Sequence, residues 1–326
     1  MPSNSLLQQY SDERAALIQN AIPRAAAIIV GRRRVLSGIR WRDDLIITAA
    51  EAIGGIEQAD VRLEGDSFSA DVIATDLTTD IAILRLPSTN ASVTTDPSLA
   101  PSSTSSAPSN SRVDTNSACT AASLDPLRLG ETIAAVGRTL RGTSAIWGTV
   151  QLAGPAWNSR RGGKIDQRIE LDVAFDPSFE GAAVINTSGN IVAMAVPGPY
   201  NRVLGIPTAT IESVIAKVDQ FGHLPKPYIG IRLQPLWLDD ATRTKLNRKA
   251  RSIAAVGGID SGSPAELAHI ELGDLLLTLD GHPAESVNDM ARRIASASPG
   301  QTIALEVLRG GKPLTINVQI GERPRS

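Results

Sequence analysis

Histidine is nearly missing from this chain of 326 residues. The three present are His223, His269 and His282, and none precedes residue 223. Everything before that point therefore lacks the side chain most often used as a general base near neutral pH. Cysteine is scarcer still. A single Cys119 excludes an intramolecular disulfide and any Cys-based zinc site. That is compatible with a reducing compartment, although many exported proteins also lack disulfides. Aromatic residues make up only 3%, so the core must be built from Val, Ile, Leu and Ala. A net charge of −2 supplies no global field for nucleic acid or an anionic membrane. No apolar run is long enough to span a bilayer. The longest early one, Ala25–Val30, is followed by Arg32-Arg33-Arg34. The first 20 residues show neither a basic n-region nor an apolar h-region. These features predict a cytoplasmic chain without a membrane span. A true start lying further upstream would allow a periplasmic one.

What is present suggests two or three domains, with 42% hydrophobic and 20% charged residues. Residues 1–24 read as an N-terminal helical segment ending near Pro23. From Ala25 to Leu86 short apolar runs alternate with Gly, Asp and charged breaks, the spacing of an all-β sandwich or barrel. Residues 88–123 are almost entirely Ser, Thr, Ala, Pro and Asn, which predicts a disordered insertion. Strand patterns then resume, and a helix over Thr210–Phe221 closes a region spanning 25–222. Pro225-Lys226-Pro227 reads as a linker inside the start of a third region, 223–326. That region alternates strands with helices predicted at Asp239–Asn247 and 286–296.

Two stretches carry a resemblance. Gly262-Ser263-Pro264-Ala265, then Leu272-Gly273-Asp274 opening the strand Leu275–Leu279, then Asp280-Gly281, is similar to the PDZ domain of HtrA-type proteases. The earlier region resembles the trypsin-like double β-barrel of the same family. Thr48-Ala49-Ala50-Glu51 stands where the family has a strand ending in histidine. Thr79-Asp80-Ile81-Ala82 matches the window holding the family's catalytic aspartate. Asp176-Pro177-Ser178-Phe179-Glu180-Gly181-Ala182-Ala183 matches its nucleophile turn. The fold this implies is mainly β: a chymotrypsin-like double β-barrel followed by an α+β PDZ domain.

The resemblance also implies a serine endopeptidase of protein quality control, but the residues argue against the chemistry. The triad-equivalent positions hold Glu51, Asp80 and Glu180, so only the orienting acid survives. A carboxylate does not support acyl transfer in place of serine. The oxyanion-turn positions are Ser178 and Gly181; Ser178 replaces a glycine and resists positive φ, and Ala182 replaces another. A Ser178–Lys164 dyad has no supporting pattern. Three converging carboxylates must splay into water, take up a proton, or bind a hard cation, because a pair roughly 4 Å apart repels by about 4 kcal/mol. Glu180 could also accept from free amides of its own turn. Glu51, Asp80 and Glu180 are thus a candidate cation site, although no metal or cofactor is expected.

In the PDZ-like region the resemblance places a carboxylate-binding loop at Tyr228-Ile229-Gly230-Ile231, with Met290, Ala291 and Ile294 walling the groove. Apolar residues there would serve equally as core. The expected partners are peptide or protein C-termini, not nucleic acid. The family also forms trimers, which implies a homotrimer or a mixed trimer with an active homologue. The expected role is a non-catalytic scaffold or regulator. Arg32-Arg33-Arg34 reads as a solvated face and Arg160-Arg161-Gly162-Gly163 as a flexible loop. Gly257-Gly258 reads as a turn or a close approach, and the four tryptophans as packing.

Overall fold

Short runs of β-branched and small apolar residues, interrupted every few positions, cannot sustain helices of useful length but pair well as strands. The computed structural model has that character. It describes residues 5–31, 34–87, 125–174, 176–245, 251–284 and 286–323. The insertion expected over 88–123 lies outside the described residues, as do Arg32 and Arg33. The chain divides into two units, Met1–His223 and Leu224–Ser326.

The first unit opens with α1 (Leu6–Ala21), capped by the Ser5 hydroxyl accepting from Gln8 N–H. Six strands follow: β1 (Ala25–Val30), β2 (Arg34–Arg42), β3 (Leu45–Thr48), β4 (Gln58–Arg62), β5 (Ser67–Asp76) and β6 (Ile81–Arg85), with the short α2 (Ala50–Ile53) after β3. They close a barrel in the order β1-β2-β3-β6-β5-β4. Gly38 permits the close packing: a Cβ there would lie 2.6 Å from Ile28 Cδ1.

A second barrel is formed by β7 (Thr132–Thr139), β8 (Gly142–Gly154), β11 (Arg168–Asp172), β12 (Ala183–Asn186), β13 (Ile191–Pro197) and β14 (Val203–Pro207). The two-residue strands β9 (Trp157–Asn158) and β10 (Lys164–Ile165) make a separate hairpin. α3 (Thr208–Phe221) buries Ile211, Val214, Ile215 and Val218 at helical spacing and stops at Gly222, φ 72°. Its Glu212 accepts from the Trp41 indole at 2.6 Å, tying α3 to β2. In the second barrel the buried Glu170 carboxylate is held by Arg168 and Arg202.

The second unit contains β15 (Pro227–Tyr228), β16 (Ile231–Trp237), α4 (Asp240–Lys245), β17 (Ser252–Ile259), α5 (Pro264–Leu267), β18 (Leu275–Leu279), β19 (His282–Pro283), α6 (Val287–Ser296), β20 (Thr302–Arg309), β21 (Lys312–Gln319) and β22 (Gly321–Glu322). The main sheet runs β16-β17-β18-β20-β21, leaving β16 on one edge. The helix expected to reach Asn247 is described only as far as Lys245. The Leu-Gly-Asp signature has a physical reason. Asp274 is buried, accepts from Glu271 N–H at 2.9 Å, and receives the Arg309 guanidinium at 2.8 and 2.7 Å.

Candidate functional site

The first barrel presents Glu51 and Asp80 together. Asp76 braces the turn before Asp80: its carboxylate accepts from Thr78 N–H at 2.9 Å and from the Thr79 hydroxyl at 2.8 Å. The turn delivers Asp80 in the left-handed region, φ 61°. From there Asp80 Oδ1 accepts from Glu51 N–H at 2.8 Å and its carbonyl from Ala50 N–H at 3.4 Å. Burial pushes the Asp80 carboxyl up to about 6. The Glu51 N–H opposes the shift, and the charges of Glu51 and Glu180 add to it.

The second barrel supplies the turn that carries Glu180. Pro177–Phe179 forms one 3₁₀ turn, and the Asp176 carboxylate caps it by accepting from Ser178 N–H at 2.7 Å. Ser178 sits in this turn without positive φ, which is how a non-glycine residue is accommodated there. The N–H donors of this turn are engaged. Ser178 N–H is spent on Asp176, Glu180 N–H on Pro177 O at 3.3 Å, and Gly181 N–H on Ala195 O at 2.8 Å. Gly181 has φ 84°, and a Cβ there would lie 2.3 Å from Ser37 O, so only glycine fits. Ser37 is a tie that the sequence did not reveal. Fully buried, it donates from Oγ to Ser178 O and accepts from Arg138 N–H at 3.0 Å, while its own N–H reaches Glu180 O at 3.0 Å.

Glu51 stands exposed, the Asp80 carboxyl is raised, and arginines add a further answer to the carboxylates. Arg34 NH2 pairs with Glu180 Oε2 at 3.0 Å, and Arg161 NH1 pairs with Glu51 Oε1 at 3.1 Å. Glu180 is 8% exposed and its arginine 53%, so a buried carboxylate is answered by a guanidinium reaching in from the surface. The turn amides take other acceptors, not the Glu180 side chain. Among the described residues no group of three or more His, Cys, Asp or Glu could hold a metal ion, so the candidate cation site is not formed. Arg34, expected on a solvated face, is half exposed and serves also as the Glu180 counterion. Arg161 leaves the flexible-loop reading. Its loop is braced by Ser159 Oγ, which accepts from Arg161 and Gly163 N–H at 3.2 Å each and donates to Thr78 O. Arg161 also reaches Leu77 O at 3.4 Å. Lys164 pairs with Asp166 at 3.4 Å.

In the second unit, Tyr228-Ile229-Gly230-Ile231 leads into the edge strand β16. The Ile229 carbonyl accepts from Ala265 N–H and the Gly230 carbonyl from Asp260 N–H, each at 2.8 Å. Neither the Ile229 nor the Gly230 N–H finds an acceptor among the described residues. Gly230 has φ 81°, and a Cβ there would lie 2.1 Å from that of Ser263. α6 packs beside β16. Of the residues expected to wall the groove, Met290 and Ile294 are buried in the core with Ile229, the other reading open for them. They lie four apart on α6 and so share the face turned to the sheet. Ala291, the third, is exposed. Trp237 is corrected, being 76% exposed at the end of β16 instead of packed.

Two closed six-stranded barrels followed by a six-stranded sheet with flanking helices define a trypsin-like peptidase fold joined to a PDZ fold. The family models agree: residues 36–194 match the trypsin-like peptidase domain and residues 227–320 the PDZ domain. The relatives and solved structures that the chain resembles are serine endoproteases of the DegP, DegQ and HtrA type. The chain is 29% identical over 207 residues to the probable periplasmic serine endoprotease DegP-like of Rhizobium meliloti (strain 1021), covering 61% of this chain and 40% of that one. It is 26% identical over 283 residues to the periplasmic pH-dependent serine endoprotease DegQ of Escherichia coli (strain K12), covering 84% of this chain and 56% of the relative. The chain thus spans about half the length of these relatives or less. A solved serine endoprotease from Yersinia pestis superposes with TM-score 0.64 at 22% identity, covering 95% of this chain and 98% of the other. The HtrA-type protease AlgW with decapeptide does so with TM-score 0.64 at 19%, covering 96% and 99%. These two likenesses show the fold. The relatives' names say periplasmic and lend no support to the cytoplasmic expectation. No described helix is long and apolar enough to cross a membrane.

Proposed function

We propose that this chain is a non-catalytic HtrA-type protein whose PDZ unit binds the C-termini of peptides or proteins. The observation that carries the first half is the state of the nucleophile turn. Glu180 occupies the position that matches the family's serine, Arg34 neutralises it, and the N–H groups of Ser178 and Glu180 are committed within the turn. No histidine lies in the barrels to serve as base. The second half is supported by the edge position of β16 and by the N–H groups of Ile229 and Gly230, which find no acceptor among the described residues. An extended peptide can add there as a further strand with its carboxylate on the loop. The names of the relatives favour a periplasmic place of work, which is part of this proposal. The rival is a working serine endopeptidase, as those relatives are named. Hydrolysis of casein and of fluorogenic peptides separates the two: turnover at background level is expected, and turnover above background that purification to homogeneity does not remove sinks the proposal.

A further inference from the structure

Side chains along β16 alternate. Ile231 and Leu233 are half-buried against the core of the PDZ unit, while Arg232 and Gln234 stand exposed on the opposite face. That opposite face is shaped around them. The neighbouring strand β17 carries Gly257-Gly258, and a Cβ at Gly258 would lie 2.4 Å from Arg232 Nε and 2.7 Å from its NH2. A Cβ at Gly257 would lie 3.0 Å from the Gln234 carboxamide carbon. The two glycines are therefore the bed on which the Arg232 and Gln234 side chains lie. Arg232 NH1 donates to Asp260 Oδ1 at 3.1 Å, and the other oxygen of Asp260 takes the Tyr228 hydroxyl at 2.6 Å. Asp260 N–H in turn holds the Gly230 carbonyl. Arg232 is thus fixed to the same loop that would receive a peptide's carboxylate. A second guanidinium, Arg323, lies 5.4 Å from the Tyr228 ring centroid.

A strand added to β16 alternates too. With its carboxylate on the loop and its last side chain turned to the α6 side, its penultimate side chain faces the side of Arg232. We propose that Arg232 sets the sequence preference of this groove, selecting peptides with an acidic penultimate residue. The inference rests on the peptide-binding reading above. Asp260 answers Arg232 only in part, because it is shared with Tyr228 and is itself 40% exposed. A cross-strand acidic partner would complete the pairing, and a basic one would meet a like charge.

The test uses the full chain and three fluorescein-labelled heptapeptides read by anisotropy. They share an apolar last residue; two carry Asp or Lys at the penultimate position, and the third is the Asp peptide as a C-terminal amide. The Asp peptide should bind about fivefold more tightly than the Lys peptide. Arg232→Gln should abolish the difference and Arg232→Glu should reverse it, with melting temperatures close to that of the unaltered chain. Equal binding of the Asp and Lys peptides, or an order that Arg232→Glu leaves unchanged, overturns the inference while leaving peptide binding intact. If the amide binds as well as the free acid, or if no peptide binds, the underlying reading falls and this inference with it.

Discussion

Asp80 is the one residue of the proposed triad positions that matches the acid expected there, and it lies in a buried setting beside Glu51 and Glu180. Its carboxyl is raised from 3.8 to about 6, chiefly by burial. A carboxyl raised on folding adds stability that is full below its unfolded pKa and is lost as pH rises through the folded one. Asp80→Asn should therefore stabilise the first unit by about 1–2 kcal/mol at pH 8, since Asn accepts the Glu51 N–H and tolerates positive φ. The gain should shrink toward zero near pH 4; thermal melts across that range read it, and a pH-independent difference would contradict the linkage. Arg34→Ala should cost about 1–2 kcal/mol, more than an exposed pair, because it leaves a buried carboxylate without its guanidinium. The proposed loss of the triad rests on the sequence alone, on Glu51, Glu180 and the positions of the three histidines. The pairing of Glu180 was not legible there. Arg34 and Glu180 stand 146 residues apart, and no local pattern signals that a hairpin arginine will reach a buried glutamate.

Elements whose period matches their burial were readable: β1, β6 and α3 carry apolar residues where the core needs them. The closed strand order was not, because nothing in a strand names its neighbours; only the family resemblance supplied it. Of the two readings the sequence left open for Gly257 and Gly258, a turn or a close approach, the structure bears out the close approach. Gly257 and Gly258 lie inside β17, where they clear space for side chains of β16. Gly163 acts similarly in the β9–β10 hairpin, where a Cβ would lie 2.5 Å from the backbone of Thr78. Gly163→Ala should push that hairpin off the turn before Asp80 and cost about 1–3 kcal/mol. Hydrogen exchange should then speed at residues 76–80 while the PDZ unit stays unchanged.

On the scale of the molecule, each unit hides one arginine-secured carboxylate whose pKa is depressed. In the first it is Glu170, held below the usual range by its bond from Arg168, against burial, and by Arg202. In the second it is Asp274, where burial works against ionisation but Arg309 and the Glu271 N–H prevail. Both add stability present above the ordinary carboxylate range and lost as pH falls through their depressed values. Arg309→Met should destabilise the PDZ unit by about 2–4 kcal/mol by orphaning Asp274. In a differential melt that loss should appear in the PDZ transition and leave the barrel transition in place. The central claim concerns the barrels, and it is tested most directly with a fluorophosphonate probe followed by intact-mass and peptide analysis. A barrel with Glu180 at the nucleophile position and no histidine should remain unlabelled under conditions that saturate an active HtrA-type protease. A stoichiometric adduct on any serine of residues 25–222 would contradict it.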